Sequence, residues 1–313
     1  MGLWRDLKGW GGLDREGKLC SASVEASAKI NLTLRVLGRR DDGYHDLRSL
    51  VIGAGLYDTV CCAVGGRPGI EVECNLESLC GRSNLAFAAA KRLAEQLDLK
   101  PSVRIRIEKN IPLGAGLGGG SSDAASTLRL CNQQWGGTLF DTDLAAVGSE
   151  IGSDVPLFFS LPCATMSGRG ERVQRTEFKW SGWVLLVFAG VLVPTVDVYR
   201  AWRRADDSFP RGEPESAVAV SERADELQQL AFNDLEPAVF RVAPKVFEVK
   251  EALDRRGWGP TRVSGAGSTL YRLFDEQASA FHAAAEIRRL GIADRVEVVA
   301  APVGPQSLEI KES

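Results

Sequence analysis

The sequence predicts an α+β protein of two domains. Three observations carry that expectation. The chain has 313 residues, more than one ordinary domain needs. Strictly alternating stretches such as "SVRIRIEKNIP" read as strands with one buried face, while "NLAFAAAKRLAEQLDL" reads as an amphipathic helix. A fresh apolar run, "GWVLLVFAGVLVPT", then opens a second unit after residue 178. The expected division is an N-terminal extension over 1–20, a first domain over 21–178 and a second over 179–306.

Composition bounds the function. Apolar residues make up 44% and charged residues 25%, the profile of a soluble globular chain. Net charge is −3, from 38 basic and 41 acidic residues, so no global field draws the chain to nucleic acid or membrane. No apolar run is long enough to span a bilayer. The first twenty residues contain neither a signal-like apolar stretch nor the acid-poor composition of a transit peptide. Cysteines 20, 61, 62, 74, 80, 131 and 163 are odd in number and form no CxxC pair. Neither a zinc site nor a disulfide framework is indicated, and a reducing cytoplasmic setting fits. With only His45 and His282 present, a multi-histidine metal centre and a Ser-His-Asp hydrolase are disfavoured.

The elements follow in order. Residues 22–36, "ASVEASAKINLTLRV", form a strand with Ile30, Leu32 and Leu34 on a core side and Lys29, Asn31 and Thr33 on a polar side. After the turn "DDGYHDL" come the strands "LRSLVIGAGLYDTVCCAV" and "GIEVECN". Asn84 is positioned to cap the next helix. In the strand "SVRIRIEKNIP", Val103, Ile105 and Ile107 face inward. An alanine-rich helix, "SSDAASTLRLCNQQW", follows a glycine stretch, and a short helix near 143–150 ends at Gly152. In the second unit, residues 203–222 are rich in charge, Pro and Ser and read as a mobile surface loop. Helices near 223–232 and 243–256, the strand-turn "TRVSGAGSTLYRLF", a helix over 276–290 and the strand "RVEVVAAPV" complete the chain. No internal repeat is evident.

The stretch "PLGAGLGGGSSDAA", residues 112–125, places five glycines among its first nine residues. It has too few polar residues for a linker. Gly114, Gly116 and Gly119 spell GxGxxG, but the preceding strand is charged at every second position, unlike a Rossmann first strand buried on both faces. Gly120-Ser121 stands where a Walker loop needs Lys-Ser/Thr. What remains is a phosphate cradle. Glycines allow close backbone approach, and the following helix presents its positive end to an anion. The cradle runs from Pro112 and Leu113 through Gly114, Ala115, Gly116, Leu117, Gly118, Gly119 and Gly120 to Ser121 and Ser122, and one of those hydroxyls could reach a metal ion.

This stretch resembles the central motif of the GHMP kinases, small-molecule kinases named for galactose, homoserine, mevalonate and phosphomevalonate. "AKINLTL" and "RVSGAGSTLYRLF" resemble that family's first and third motifs. "GRRDDGYHDL", "GSDVPLFF", "VPTVDVY" and "FNDLEP" point to the branch acting on a cytidylyl substrate. The resemblance spans roughly residues 22–303. It implies a ribosomal-protein-S5-like N-terminal domain, a ferredoxin-like C-terminal domain and an active site in the cleft between them. The implied activity uses ATP and Mg2+ to phosphorylate the 2-hydroxyl of 4-diphosphocytidyl-2-C-methyl-D-erythritol, in the non-mevalonate route to isoprenoid precursors. The alternative is another GHMP kinase, of the mevalonate or sugar type, and a non-catalytic nucleotide binder stands further off. The implied partners are small molecules only, with no nucleic acid and no membrane.

Residue by residue, the resemblance makes Lys29 and Asp154 catalytic, against ordinary readings as a solvated strand lysine and a turn aspartate. It assigns Tyr44 and His45 to the cytidine, with Tyr199 closing the other side of the base and Thr195 nearby. Phenylalanine is common at position 199, and tyrosine should stack equally well. Asn31 would meet the substrate beside the catalytic pair. Gly265, Gly267 and Ser268 would pack near the substrate's phosphate end and support the first glycine loop. Lys109 is a candidate to face the nucleotide. Asp123 is expected to point away from the phosphates or to lie near the metal, and His282 to sit without a role on a helix.

Overall fold

The computed structural model describes residues 20–65, 68–203, 214–293, 295–306 and 308–312. The N-terminal extension expected over 1–20 lies outside them except for Cys20. The chain begins with β1 (Cys20–Asn31) and β2 (Thr33–Arg39), separated by Leu32, whose amide donates to Leu50 O. The single strand expected over 22–36 is therefore two. The next strand, β3 (His45–Val64), is long enough to pair with several neighbours along its length. Its register sets Lys29 of β1 opposite Gly53.

Next come β4 (Gly69–Cys74), α1 (Leu85–Gln96) and β5 (Ser102–Glu108). Asn84 caps α1 as expected, its Oδ1 accepting from Ala86 N at 2.9 Å. In β5, Val103, Ile105 and Ile107 are buried and the intervening arginines face out, one of them, Arg104, pairing with Glu71. The glycine stretch leads into α2 (Gly119–Gln134), followed by α3 (Asp141–Ser149), β6 (Cys163–Gly168) and β7 (Arg172–Arg175). Ala124, Ala125, Leu128 and Cys131 of α2 pack with Ala86, Ala89, Ala90 and Leu93 of α1 in the core beneath the sheet. Alanine at these contacts lets the two helices lie close.

The second half contains β8 (Gly182–Phe188), α4 (Thr195–Ala201), α5 (Pro214–Val220), α6 (Ala224–Leu230), β9 (Phe232–Asn233), α7 (Glu236–Val242) and α8 (Pro244–Leu253). It ends with β10 (Arg262–Val263), β11 (Thr269–Phe274), α9 (Gln277–Arg289), β12 (Arg295–Ala301) and β13 (Glu309–Glu312). Its sheet runs β10-β11-β8-β12, entirely antiparallel, which is the strand order of a ferredoxin-like β-α-β-β-α-β unit. The apolar run of β8 is explained by burial on both faces. Leu185 and Val187 meet α9, whereas Val184 and Leu186 meet Ile30, Leu32 and Ile52 of the first sheet.

Two expectations change. Within the presumed loop at 203–222, residues 214–220 form a helix, with Val218 and Ala219 buried against the inter-sheet core; residues 204–213 lie outside the described ones. The polar side expected over 22–36 is divided between two strands and buried, with Lys29 and Asn31 in β1 and Thr33 in β2. No helix among the described residues is long and apolar enough to cross a membrane.

The two halves are stitched rather than merely apposed. The short strand β9 adds in parallel to β2, Phe232 N donating to Leu32 O at 3.1 Å. Buried Asn233 then donates through Nδ2 to Val263 O and Gly265 O, at 2.9 and 2.7 Å, and accepts from Leu235 N. Asn233→Ala strands two carbonyls and an amide, and is expected to cost about 2–4 kcal/mol of stability. Urea unfolding of the variant, read by circular dichroism, checks this.

Candidate active site

A cleft of about 1160 Å³ opens between the two halves. Its floor is the glycine loop and the N-terminus of α2; β1, α4 and the turn at 265–266 supply its walls. The first intrahelical bond of α2 runs from Ser122 N to Gly118 O, so the amides before it are left to face an anion in the cleft.

The loop is held from below by one residue. Lys29 N donates to Leu117 O at 3.0 Å, and Lys29 Nζ donates to Gly116 O at 2.8 Å and to Asn31 Oδ1 at 2.6 Å. Asn31 is fixed in turn, its Nδ2 donating to Ser49 Oγ. Only 4% of Lys29 is exposed, and burial lowers its pKa, opposed by the negative charge of Asp154. Asp154 reaches the cleft from the segment after α3, beside Ser153. The same carboxylate, added to burial, pushes the Tyr199 phenol above its ordinary value.

The glycines are required by what surrounds them. Gly116 has φ +74°, and a Cβ there would lie 2.0 Å from Ser264 O of the second glycine turn. Gly118 has φ +73°, and its Cβ would press on the Lys29 stem and Phe158 at 3.0 Å. Ser264 Oγ donates to Gly116 O at 3.0 Å, so both domains grip the same carbonyl.

Beneath the loop lies a buried triad that sequence reasoning did not assemble. Lys109 Nζ donates to Asp58 and, at 2.7 Å, to Asp123. Asp58 also accepts the amides of Asn110 and Ile111, at 2.6 and 2.8 Å. Asp123 Oδ1 has no partner, and burial raises that carboxyl to about 7. Asp123 thus turns under the loop toward Lys109. Only the lysine of the triad, with Asp58 and Asp123 behind it, also borders the cleft.

At the other end of the cleft, His45 and Tyr199 stack at 5.1 Å, and Trp202 sets its edge against His45 at 5.6 Å. Burial and the nearby Arg39 charge lower the His45 pKa. Tyr44 is 55% exposed, with the Arg169 guanidinium 4.9 Å from its ring centre. Trp202 and Arg169 were not anticipated. The first is hinted at by its i+3 spacing from Tyr199, but nothing local marks the second.

Most of the expected site residues converge. Lys29, Asp154, Asn31, Tyr44, His45, Thr195, Tyr199, Gly265 and the loop from Ile111 to Ser121 all border the cleft. Ser122, Gly267 and Ser268 do not. Ser122 is buried in the first turn of α2, and Gly267 closes its own turn onto Ser264 O. Ser268 Oγ donates to Val191 O, so these two support the second glycine turn from behind. His282 is an exposed residue of α9 facing Glu286. Among the described residues, no group of three or more His, Cys, Asp or Glu side chains could hold a metal.

A family model described as the GHMP kinases N terminal domain matches residues 84–161, and one described as GHMP kinases C terminal matches residues 216–293. A 4-diphosphocytidyl-2-C-methyl-D-erythritol kinase of Citrifermentans bemidjiense is 39% identical over 265 residues, covering 84% of this chain and 93% of the relative. Its namesake from a Geobacter species is 40% identical over 266 residues, with the same coverage. A crystal structure of 4-(cytidine 5'-diphospho)-2C-methyl-D-erythritol kinase superposes with a TM-score of 0.76 at 33% identity, covering 90% of this chain and all (100%) of the other. The homoserine kinase of Cytophaga hutchinsonii shares the fold, with a TM-score of 0.72 at 16% identity over 93% of this chain and 97% of the other.

Two expectations can be measured on the free protein. Gly116→Ala should destabilise by more than about 1 kcal/mol, from φ alone, before the clash with Ser264 O is counted. Gly120→Ala, which meets nothing nearer than Leu85 Cδ1 at 3.8 Å, should be neutral or gain up to about 1 kcal/mol. Denaturant midpoints of the pair decide this. The second concerns Asp123. Its carboxyl binds a proton more tightly in the folded chain than in the unfolded one, where it titrates at the ordinary 3.8. Its contribution to stability is therefore present in full below that value and is lost as pH rises toward about 7. Asp123→Asn should flatten the fall in stability across that window, as read from urea unfolding at stepped pH.

Proposed function

The chain belongs to the GHMP kinases, within their 4-diphosphocytidyl-2-C-methyl-D-erythritol kinase branch, and from the geometry of its cleft we propose how its residues divide that work. The activity is transfer of the γ-phosphoryl of ATP to the 2-hydroxyl of 4-diphosphocytidyl-2-C-methyl-D-erythritol, a step toward isoprenoid precursors. The observation that carries the proposal is that buried Lys29 and Asp154 border the same cleft at the glycine cradle, near enough for the carboxylate charge to act on the ammonium.

Asp154 accepts the proton of the attacking hydroxyl. The hydroxyl oxygen bonds to the γ-phosphorus while the bond from that phosphorus to the β–γ bridging oxygen breaks, and ADP leaves with the electron pair. Lys29 has three protons to donate, and two already go to Asn31 and Gly116. The third is available to Asp154 and to the transferred group. Phosphoryl transfer is largely dissociative, so orientation and charge neutralisation matter more than the strength of the base. The backbone amides at the start of α2 hold the triphosphate.

Mg2+ fits this site as an ion held mostly by nucleotide phosphates and water, and Ser121, which borders the cleft at the start of α2, would offer it a hydroxyl. When bound it would neutralise phosphate charge. Tyr44, His45 and Tyr199 receive the cytosine, with Thr195 beside them. The division near residue 178 into an ATP-binding and a C-terminal domain is part of the same proposal.

Asp154→Asn should fold normally, Lys29→Ala should keep the overall fold while losing one anchor of the glycine loop, and both should lose about 10²- to 10⁴-fold in kcat. The measurement is ADP release with Mg-ATP and the cytidylyl erythritol. Near-native rates in either variant overturn the assignment. Turnover of mevalonate in place of the cytidylyl substrate would favour the other GHMP reading.

A further inference from the structure

We propose that Arg169 recognises the diphosphate of the acceptor substrate. The proposal rests on the reading above, in which the base lies at Tyr44 and His45 and the acceptor hydroxyl at Asp154. A substrate fixed at those two ends must thread its diphosphate between them. That bridge is anionic, and a partly enclosed cleft gives it less water than bulk solvent does.

One turn of the chain spans this gap. Residues 169–171 join β6 to β7. Arg169 extends from the turn over Tyr44, its guanidinium carbon 4.9 Å from the ring centre. The next residue, Gly170, passes so close to the catalytic carboxylate that a Cβ there would lie 3.4 Å from Asp154 Oδ1. The turn is fixed by its main chain, Arg169 N donating to Glu171 Oε2 at 2.6 Å and Gly170 N to Ser167 O at 3.2 Å. Arg169 therefore lies between the base pocket and the reacting centre on a rigid support.

Its head is only loosely paired, although its charge also acts on Asp42, another residue bordering the cleft. The nearest carboxylate contact is Glu171 Oε2, at 4.0 Å from Nε, and no side-chain hydrogen bond of Arg169 to a carboxylate is present among the described residues. The other arginines bordering the cleft are placed differently. Arg203 donates to the carbonyls of Arg200 and Trp202, Arg200 faces Asp197, and Arg39 is in register with His45 at the base end. A planar guanidinium fork matches two phosphate oxygens at once. Resting on the Tyr44 ring, it would couple the seating of the base to the seating of the diphosphate.

The test compares cytidine and CDP by calorimetric titration in EDTA without ATP, in the native protein, Arg169→Gln and Arg169→Lys. The native protein should prefer CDP by about 10- to 100-fold. Arg169→Gln should reduce that preference to within about threefold without weakening cytidine, and Arg169→Lys should fall between. In turnover, Arg169→Gln should raise KM for the acceptor by a similar factor, leaving kcat and KM for ATP within about threefold. A CDP preference that survives in Arg169→Gln overturns the proposal, as does equal weakening of cytidine and CDP, which would mean that Arg169 acts only by packing on Tyr44. A rise in KM for ATP alone overturns it too, assigning the cation to the donor. If the native protein binds neither cytidine nor CDP, the base pocket itself is misplaced, and that outcome is distinct from the others.

Discussion

The fold of the site depends on a buried ammonium. Lys29 is taken out of water by β1 and the loop that covers it, a loss that must be met by polar partners. Asn31 Oδ1 and Gly116 O supply two, and the charge of Asp154 supplies the electrostatic counterpart. This arrangement also shapes the cradle. In a trans peptide the carbonyl and the following amide point in opposite directions. Lys29 draws the carbonyls of Gly116 and Leu117 down toward β1, so the amides of Leu117 and Gly118 are turned the other way, toward the cleft. One residue, through its amide and its ammonium, thus orients the phosphate donors, and its ammonium faces the charge of the carboxylate proposed to take the acceptor's proton.

A second buried ammonium serves the loop's entrance. Asp58 holds the amides of Asn110 and Ile111, where β5 gives way to the glycine stretch, and Lys109 holds Asp58. The cost of burying these charges is limited because Lys109 donates to both carboxyls and because burial raises that of Asp123 to about 7. That accounts for an acid in the first turn of a helix that binds phosphate. Asp123 is not exposed to the phosphates at all; its carboxyl is folded under the loop, where Lys109 offsets it.

Much of this was legible in the chain. Strict alternation marked β5, the Asn84 cap marked the start of α1, and the density of glycine marked the cradle. The motif resemblance then selected Lys29 and Asp154, which no local pattern could distinguish from a strand lysine and a turn aspartate. What escaped depends on distant pairing. Alternation over 22–36 marks a polar side, but nothing in those residues says that the glycine loop will cover it. The stretch containing α5 looked like loop by composition, yet Val218 finds its partners in the core between the two sheets. Ser268 and Ser122 have the right types for ligand contact, but their backbones face them away from the cleft. Arg169 gains its position only from the docking of the β6–β7 turn beside Asp154.

The contacts around Gly116 also limit how the cleft can move. Ser264, from the second domain, bonds the same carbonyl that Lys29 holds from the first, and Asn233 ties its turn to a strand lying in the first domain's sheet. A hinge between the halves would have to break both attachments and expose the apolar contact between β8 and β1. Geometry for phosphoryl transfer is therefore set by buried main chain. The acceptor end is built differently, from side chains at the rim such as exposed Tyr44, and from the aromatic faces of His45 and Tyr199. Rigid backbone suits the triphosphate, which every turnover presents in the same form. Side chains with rotamer freedom suit the acceptor, whose base, diphosphate and alcohol must all be seated before the hydroxyl meets Asp154.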